Sequence, residues 1–240
     1  MAENAVAVMK RYEIKYLLSK EQTDYLVDAI KGKLFPDQYG STTIASLYYD
    51  TPDQRLIRES LEKPAFKEKI RLRSYGPATE DSPVYLELKR KADGIVYKRR
   101  VQSTLPKVSD FFEGREDLSG DHQISKELSY FRNFYETLVP ACLIMVERTA
   151  YYEANGDLRL TIDRDPRYRT ERLELTGEMD GKALLPEGWT ILEVKVQGAM
   201  PLWLAKVLSE GKIYQSSFSK YGEAYKKGAY EKRRIKDKGG

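Results

Sequence analysis

The feature that most constrains the fold of this chain is a row of four cations at alternate positions. The row consists of Lys67, Lys69, Arg71 and Arg73. Residues two apart in a β-strand face the same side, so this period predicts a strand with one cationic face and one apolar face. Four like charges side by side repel one another. The pattern therefore indicates that an anion lies against this strand.

Four further segments alternate charged and apolar residues in the same way. Their polar rows are Arg11, Glu13 and Lys15; Glu87, Lys89 and Lys91; Arg159, Thr161 and Asp163; and Glu193 and Lys195. A single row of this kind is also typical of the solvated face of an ordinary sheet. Five rows in one chain favour an inward-facing polar lining, with the apolar faces packed outward against helices.

Turn signals and periodicity predict many short strands and a few helices. Strands are predicted at residues 10–18, 43–51, 66–75, 83–91, 95–103, 142–153, 157–164, 168–176 and 190–197, with hairpin turns at Asp93-Gly94 and Asn155-Gly156. Helices are predicted at 20–33, where Ser19 is the cap, at 107–135 in two pieces, and near 201–210 and 219–230.

These elements predict an α+β fold, built on an antiparallel β-barrel of about eight strands with helices packed outside. Closure of the sheet would leave no exposed strand edge. We expect a single domain over residues 1–240, with a core from about 10 to 228 and a disordered tail at 231–240.

Composition argues against several classes of function. A net charge of +4 gives no reason to expect DNA binding. The chain contains no run of 18 apolar residues, so we expect no membrane insertion. A single cysteine, Cys142, in an apolar run is typical of a cytoplasmic protein with a buried thiol. The only histidine, His122, lies in a polar stretch that offers neither a catalytic triad nor a zinc site.

A lining rich in cations predicts a polyphosphate ligand, because Arg presents planar forks to phosphate oxygens and Lys presents point charges. Carboxylates beside phosphate are expected to hold a divalent cation, which makes Glu193 and also Glu13 candidate ligands of Mn²⁺ or Mg²⁺. Cations together with a carboxylate-bound metal predict phosphoryl transfer. Glu87 is either a further metal ligand or the ion-pair partner of Lys89, and the ion pair is favoured.

These rows, in this order, resemble the triphosphate tunnel metalloenzymes of the CYTH-like superfamily. The closest resemblance is to the VTC domain, the polyphosphate polymerase domain of the eukaryotic vacuolar transporter chaperone. The fragments that carry it are Arg11-Tyr-Glu13-Ile-Lys15, Ser46-Leu-Tyr-Tyr-Asp50-Thr51, Lys69-Ile-Arg71-Leu-Arg73-Ser-Tyr-Gly76, Glu87-Leu-Lys89, Tyr97-Lys98-Arg99-Arg100, Glu147-Arg148-Thr149-Ala150-Tyr151, Arg159-Leu-Thr-Ile-Asp163, Leu192-Glu193-Val-Lys195 and Phe218-Ser219-Lys220-Tyr221.

The resemblance implies a tunnel open at both ends and a transferase that moves the γ-phosphate of ATP to a growing polyphosphate chain. It implies that Glu193 holds the metal and that Ser219 adds a hydroxyl. The implied catalytic and phosphate-binding cations are Lys15, Arg71, Arg73, Lys89, Lys98, Arg148, Arg159 and Lys220. By strict alternation Arg148 falls with the apolar Ile144 and Val146, so its ligand role requires a bulge or rests on the resemblance alone.

One residue departs from the wider superfamily, whose first motif is Glu-x-Glu-x-Lys. Arg11 replaces the first Glu, which leaves fewer acids for metal and disfavours a two-metal thiamine triphosphatase or an adenylate cyclase. The same site would also suit a tripolyphosphatase or nucleoside triphosphatase, a non-catalytic polyphosphate sensor or an RNA 5′-triphosphatase. The acceptor, phosphate or water, separates the polymerase from the hydrolases. The preferred metal, the base preference and the oligomeric state stay open.

Overall fold

A computed structural model describes residues 12–92 and 95–236 of the chain. Within these residues ten strands form one antiparallel sheet. The strands are β1 Tyr12–Leu18, β2 Phe35–Asp50, β3 Phe66–Tyr75, β4 Val84–Ala92, β5 Ile95–Ser103, β6 Val139–Tyr152, β7 Arg159–Arg169, β8 Lys182–Ala183, β9 Thr190–Val196 and β10 Gln215–Ser216. The helices are α1 Lys20–Ile30, α2 Arg55–Leu61, α3 Leu105–Phe112, α4 His122–Tyr135, α5 Leu202–Glu210 and α6 Lys220–Lys236.

The sheet has the strand order β10-β1-β9-β7-β6-β2-β3-β4-β5, with β8 paired to β7, and it curls strongly. In a flat sheet β1 and β4 would lie about 29 Å apart, because five strands separate them. Instead, Lys89 Nζ on β4 donates to Glu13 Oε2 on β1 at 2.6 Å. The two outermost strands, β10 and β5, are not paired with each other in the described part of the chain. The fold is therefore α+β, as predicted. Its sheet forms a tunnel in which side-chain contacts, and not strand pairing, bridge β4 and β1.

The convex outer face of the sheet carries most of the hydrophobic core. Leu72 and Leu86 on this face are buried in one cluster with residues of α3 and α4. Leu160 and Leu192 are buried in a second cluster with residues of α1 and α5. This confirms the prediction that the apolar faces of the alternating strands pack outward against helices. Helix α1 begins, as predicted, at a capping box in which the Ser19 hydroxyl accepts from Gln22 N at 3.2 Å.

The last helix is placed differently, because α6 packs on the concave inner face of the sheet. Tyr221 and Ala224 of α6 form one buried cluster with Ile44, Ile144 and Val146. The Tyr221 ring also stacks on Tyr48 of β2, with ring centroids 4.7 Å apart. Part of the inner face is therefore apolar, and α6 covers that part.

The predicted strand at 168–176 is wrong. Strand β7 continues from Arg159 through the expected break to Arg169, and no strand is assigned to residues 170–176. Asp165 and Pro166 form a β-bulge, since Met145 pairs with Arg167 whereas Glu147 pairs with Arg164. Asp165 has a φ of 42°. Proline is tolerated in a bulge because no ladder donor is required there.

Helix α2 was not predicted, and the expected disordered tail is partly helical. The buried Asp50 carboxylate starts α2 by accepting from Leu56 N at 2.8 Å and from Ile57 N at 3.0 Å. Helix α6 continues to Lys236, in keeping with the helix-forming residues at 231–236. Arg11, the Asp93-Gly94 turn and residues 237–240 lie outside the described residues. No helix of the described residues is long and apolar enough to cross a membrane.

Replacing Tyr221 with Phe should lower the free energy of unfolding by about 1–2 kcal/mol, because a buried acceptor loses its donor. The Tyr221 hydroxyl donates to Asp50 Oδ2 at 2.8 Å, which ties α6 to the start of α2. Urea denaturation checks the value. Tyr214→Phe is the matched control, since Tyr214 is 74% exposed and its variant should unfold like the parent chain. Equal stability of the two variants would contradict the role of this hydrogen bond.

Candidate functional site

The strand register brings the cationic rows together on the inner face. Lys67 lies opposite Lys91, and Lys69 lies opposite Lys89 across β3 and β4. Lys89 in turn lies opposite Lys98 across β4 and β5. Like charges directly opposite each other destabilise a sheet. Three such pairs on one concave face therefore favour an anionic ligand between them.

Glu87 is the carboxylate that holds the cations of β3 and β5 in place. It is buried, and it lies 2.7 Å from Arg71 NH2 and 2.8 Å from Lys98 Nζ. Arg73 NH2 and Arg100 Nε lie further away, at 3.8 and 3.6 Å. Burial opposes ionisation of Glu87, but Arg71, Arg73 and Lys98 outweigh it and hold the pKa of this carboxyl far below its usual range. The expected pairing of Glu87 with Lys89 is wrong, because Lys89 reaches across to Glu13 instead.

Asp163 on β7 is a second buried carboxylate that holds cations in place, here Arg148 and Lys220. Arg148 binds it through two hydrogen bonds, from Nε at 2.5 Å and NH2 at 2.8 Å. Lys220 Nζ, at the start of α6, lies 2.5 Å from Asp163 Oδ2. Against the effect of burial, these two cations lower the pKa of the Asp163 carboxyl well below its usual range.

Arg148 faces inward without the bulge that had been invoked for it. It shares the inner face with Ile144 and Val146 by strict alternation, and β6 pairs with β2 without a break from Arg148 to Cys142. The predicted alternation along β6 is correct. Ile144 and Val146, however, lie on the inner face and not on the outer face that their apolar character suggested. Ile144 and Val146 are apolar because α6 covers them.

The two carboxylates predicted to hold the metal, Glu193 and Glu13, lie on adjacent strands. Glu193 on β9 lies opposite Lys15, and Glu13 on β1 lies opposite Lys195. Glu193 is bound by Lys195 at 2.9 Å and by Lys15 at 4.0 Å. Among the described residues no group of three His, Cys, Asp or Glu side chains could hold a metal ion. Two carboxylates suit an ion such as Mg²⁺, which takes one or two of them and completes its shell with phosphate oxygens and water.

Lys69 lies in the interior of the tunnel. Its ammonium donates to the Ser219 hydroxyl at 3.1 Å, just before α6 begins. Burial and the neighbouring Lys15 lower the pKa of Lys69 to about 8. Beside it, Tyr48 accepts from Arg71 NH1 at 3.1 Å. Burial raises the pKa of Tyr48, but Arg71 and Lys69 outweigh this and lower it to about 8.

The predicted residues thus share one face of the sheet, with Arg159 at its exposed edge opposite Lys195. The inner face brings together Glu13, Lys15, Arg71, Arg73, Lys89, Lys98, Arg148, Glu193, Ser219 and Lys220. Arg159 lies at the exposed end of β7, where its guanidinium sits 5.4 Å from the centre of the Tyr152 ring. Sequence reasoning missed Tyr48 and Arg100 as members of this surface. Alternation along β5 would have found Arg100, which lies two residues after Lys98.

Solved structures of other proteins resemble the fold of this chain. A proposed adenylate cyclase from Bacillus halodurans has a TM-score of 0.52 at 14% identity, over 88% of this chain and 96% of that chain. A proposed adenylyl cyclase from Hippeastrum, described as having a dominant triphosphatase activity, has a TM-score of 0.48 at 18% identity, over 87% and 92%. No protein of curated function matches the sequence.

The sequence model of the VTC domain matches residues 10–228, which include every inner-face residue described above. The match spans most of the chain, and the chain folds as a partly closed antiparallel tunnel. The chain therefore belongs to the VTC domain family.

Proposed function

We propose that this chain is a metal-dependent phosphotransferase that extends inorganic polyphosphate with the γ-phosphate of ATP. The observation that carries the proposal is the set of opposed lysine pairs on the inner face, Lys67 with Lys91, Lys69 with Lys89 and Lys89 with Lys98. Membership in the VTC domain family supports an enzyme that acts on triphosphates. We further propose that residues 1–240 are one domain and that it works in the cytoplasm.

The triphosphate is proposed to lie between β3, β6 and the start of α6. Arg71 and Arg73 would present guanidinium forks to its oxygens, and Lys220 with the Ser219 hydroxyl would bind it from α6. The other proposed phosphate ligands are Lys15, Lys69, Lys89, Lys98, Arg148 and Arg159. Glu87 and Asp163 would hold these cations in position before the substrate arrives, which reduces the reorganisation needed during the reaction.

A product longer than a triphosphate is supported by the cations at the end of β3. Lys67 and Lys91 continue the rows beyond Lys69 and Lys89, toward the loop that joins β3 to α2. Burial lowers the pKa of Lys67, and the nearby Lys91 and Lys63 lower it further. This extension gives a polyphosphate chain a charged path that a triphosphate alone would not need.

The divalent cation is proposed to bind Glu193, with Glu13 as a further ligand. When bound, Mn²⁺ or Mg²⁺ would neutralise charge on the phosphate oxygens. The protein's part is to align the two substrates. A terminal oxygen of the polyphosphate acceptor attacks the γ-phosphorus, the bond between the γ-phosphorus and the β,γ-bridging oxygen breaks, and ADP leaves with that oxygen. The product is one phosphate longer, and no covalent intermediate with the protein forms.

The proposal is tested by incubating the purified chain with ATP, Mn²⁺ and a short polyphosphate primer and separating the products by gel electrophoresis. A ladder of long chains with equimolar ADP is the expected result. Free phosphate without a ladder would identify a hydrolase of the same site. Binding of tripolyphosphate without turnover in either Mn²⁺ or Mg²⁺ would identify a sensor.

Tripolyphosphate affinity should fall roughly tenfold or more between about pH 7 and 9, because two groups in the cavity titrate near 8. Lys69 loses its positive charge and Tyr48 gains a negative charge as the pH rises through their pKa of about 8. Both changes weaken anion binding. Isothermal calorimetry in buffers of different ionisation enthalpy should therefore detect proton uptake on binding.

The matched control is the double variant Lys69→Arg with Tyr48→Phe, which keeps a permanent cation and removes the phenol. Its affinity should no longer fall over the same range, because Arg stays protonated. If the double variant retains the full pH dependence, the assignment of the titration to Lys69 and Tyr48 is wrong.

A further inference from the structure

One end of the tunnel carries an aromatic and arginine cluster that the phosphate-binding rows leave unexplained. The Arg100 guanidinium of β5 lies 3.7 Å from the centre of the Tyr85 ring on β4. Arg100 NH2 also donates to the Tyr75 hydroxyl on β3 at 3.1 Å. Tyr75 and Tyr85 meet edge to face, with centroids 5.7 Å apart. Three adjacent strands thus contribute one side chain each to a single polar and aromatic surface.

This surface is continuous with the phosphate-binding rows. Tyr75 follows Arg71 and Arg73 on the same face of β3, and Tyr85 lies directly opposite Arg73. Arg73 is buried, yet its Nε atom has no hydrogen-bond partner among the described residues. Tyr75 stands two residues from Arg73 on the same strand face, which places their Cα atoms about 7 Å apart. A nucleotide with a phosphate beside Arg73 would therefore have its ribose and base next to Tyr75.

The aromatic surface is open to a ligand. Tyr75 is 48% exposed, although it sits beside the buried Arg73. A nucleobase stacks on aromatic rings and on the plane of a guanidinium, because every base has a π-face. Tripolyphosphate has no such group, so this surface distinguishes a nucleotide from an inorganic ligand of the same charge.

We propose that Tyr75, Tyr85 and Arg100 form the platform on which the base of the nucleoside triphosphate stacks. This inference rests on the proposed function and orients its substrate. The base lies at the Tyr75 end and the γ-phosphate points toward Lys69 and α6. Stacking contacts the π-face of a base and not the donors and acceptors at its edge. ATP and GTP should therefore bind with similar affinity.

The test compares the dissociation constants of ATP and tripolyphosphate, measured by calorimetry with Mg²⁺ and without an acceptor. Tyr75→Ala should weaken ATP binding roughly tenfold and leave tripolyphosphate binding unchanged, since one stacking partner is lost. Tyr75→Phe keeps the ring and should restore the affinity for ATP. Tyr130→Ala is the control, because Tyr130 is 66% exposed on α4, where its ring stacks on that of Phe134.

The outcomes separate the platform from the function on which it rests. Selective loss of ATP affinity in Tyr75→Ala supports the platform, and intact tripolyphosphate binding shows that the variant is folded. Equal ATP affinity in the parent chain and Tyr75→Ala overturns the platform and leaves the phosphotransferase proposal standing. If the parent chain does not bind tripolyphosphate at all, the proposed function and the platform both fail.

Discussion

Glu193→Gln is expected to reduce metal-dependent phosphoryl transfer by roughly a hundredfold or more, because a metal bound between carboxylate and phosphate contributes several kcal/mol to the reaction. The Glu193 carboxylate is largely buried, and Lys195 and Lys15 stabilise its ionised form. Although burial raises its pKa, these cations outweigh burial and lower the pKa well below the usual range. The group is therefore anionic at every pH at which the enzyme would work.

The measurement is the initial rate of ADP formation as a function of Mn²⁺ concentration. Glu147→Gln is the matched control, since Glu147 is the same residue type on β6 but lies next in sequence to the inward-facing Arg148, on the outer side. Its variant should transfer phosphate like the parent chain. Glu193→Gln should still bind tripolyphosphate without metal, which distinguishes lost chemistry from lost folding. An unchanged metal dependence in Glu193→Gln would remove Glu193 from the metal site.

Asp163→Ala is expected to lower the free energy of unfolding by about 3–5 kcal/mol. The substitution leaves the Arg148 guanidinium and the Lys220 ammonium without the carboxylate that both contact. Their side chains are only 17% and 14% exposed, so water compensates poorly for the lost partner. Urea denaturation checks the value, and a change below about 1 kcal/mol would contradict it.

The control for Asp163 is Asp28→Ala. Asp28 also pairs with a lysine, Lys31 at 2.6 Å, but both side chains are 72% exposed. Exposed ion pairs contribute about 0–1 kcal/mol, so this variant should be nearly as stable as the parent chain. Asp163→Asn keeps the shape of the side chain and loses its charge. Its free energy of unfolding should lie between those of Asp163→Ala and Asp28→Ala.

The buried carboxylates Asp163 and Glu87 predict how the stability of the fold changes at low pH. Asp163 and Glu87 have pKa values far below their ordinary values of 3.8 and 4.5. A group whose pKa is lowered by folding contributes stability above its unfolded pKa and loses it as the pH falls. The free energy of unfolding should therefore decrease progressively below about pH 4.

Strand periodicity was sufficient to predict most of the sheet and the side of each strand that carries the charges. Alternation is a local property, so the rows on β1, β3, β4, β7 and β9 could be read directly from the sequence. The hairpin between β6 and β7 and the cap of α1 also follow from short motifs. These parts of the fold depend on residues that are neighbours in the chain.

The interior contacts of α6 could not be predicted in this way. Ser219 meets Lys69 across 150 positions of sequence, and no local pattern reports that contact. For the same reason Ile144 and Val146 suggested an outward face, although α6 covers them on the inner face. The missed helix α2 depends on the Asp50 carboxylate, which accepts a hydrogen bond from Leu56 N. The same carboxylate accepts from the Tyr221 hydroxyl, which is 171 positions away in the sequence. Tyr75 and Arg100 likewise come together through strand register.

The position of α6 has a consequence for how the protein is made. Strand β1, near the start of the chain, pairs with β9, and Lys69 and Asp163 find their partners at residues 219 and 220. Ribosomes synthesise the chain from its N-terminus, so these long-range pairings form late. A nascent chain that lacks residues 190–221 therefore has its cationic strands but no finished cavity. The capacity to bind the proposed triphosphate should therefore arise only after residues 190–221 have emerged from the ribosome.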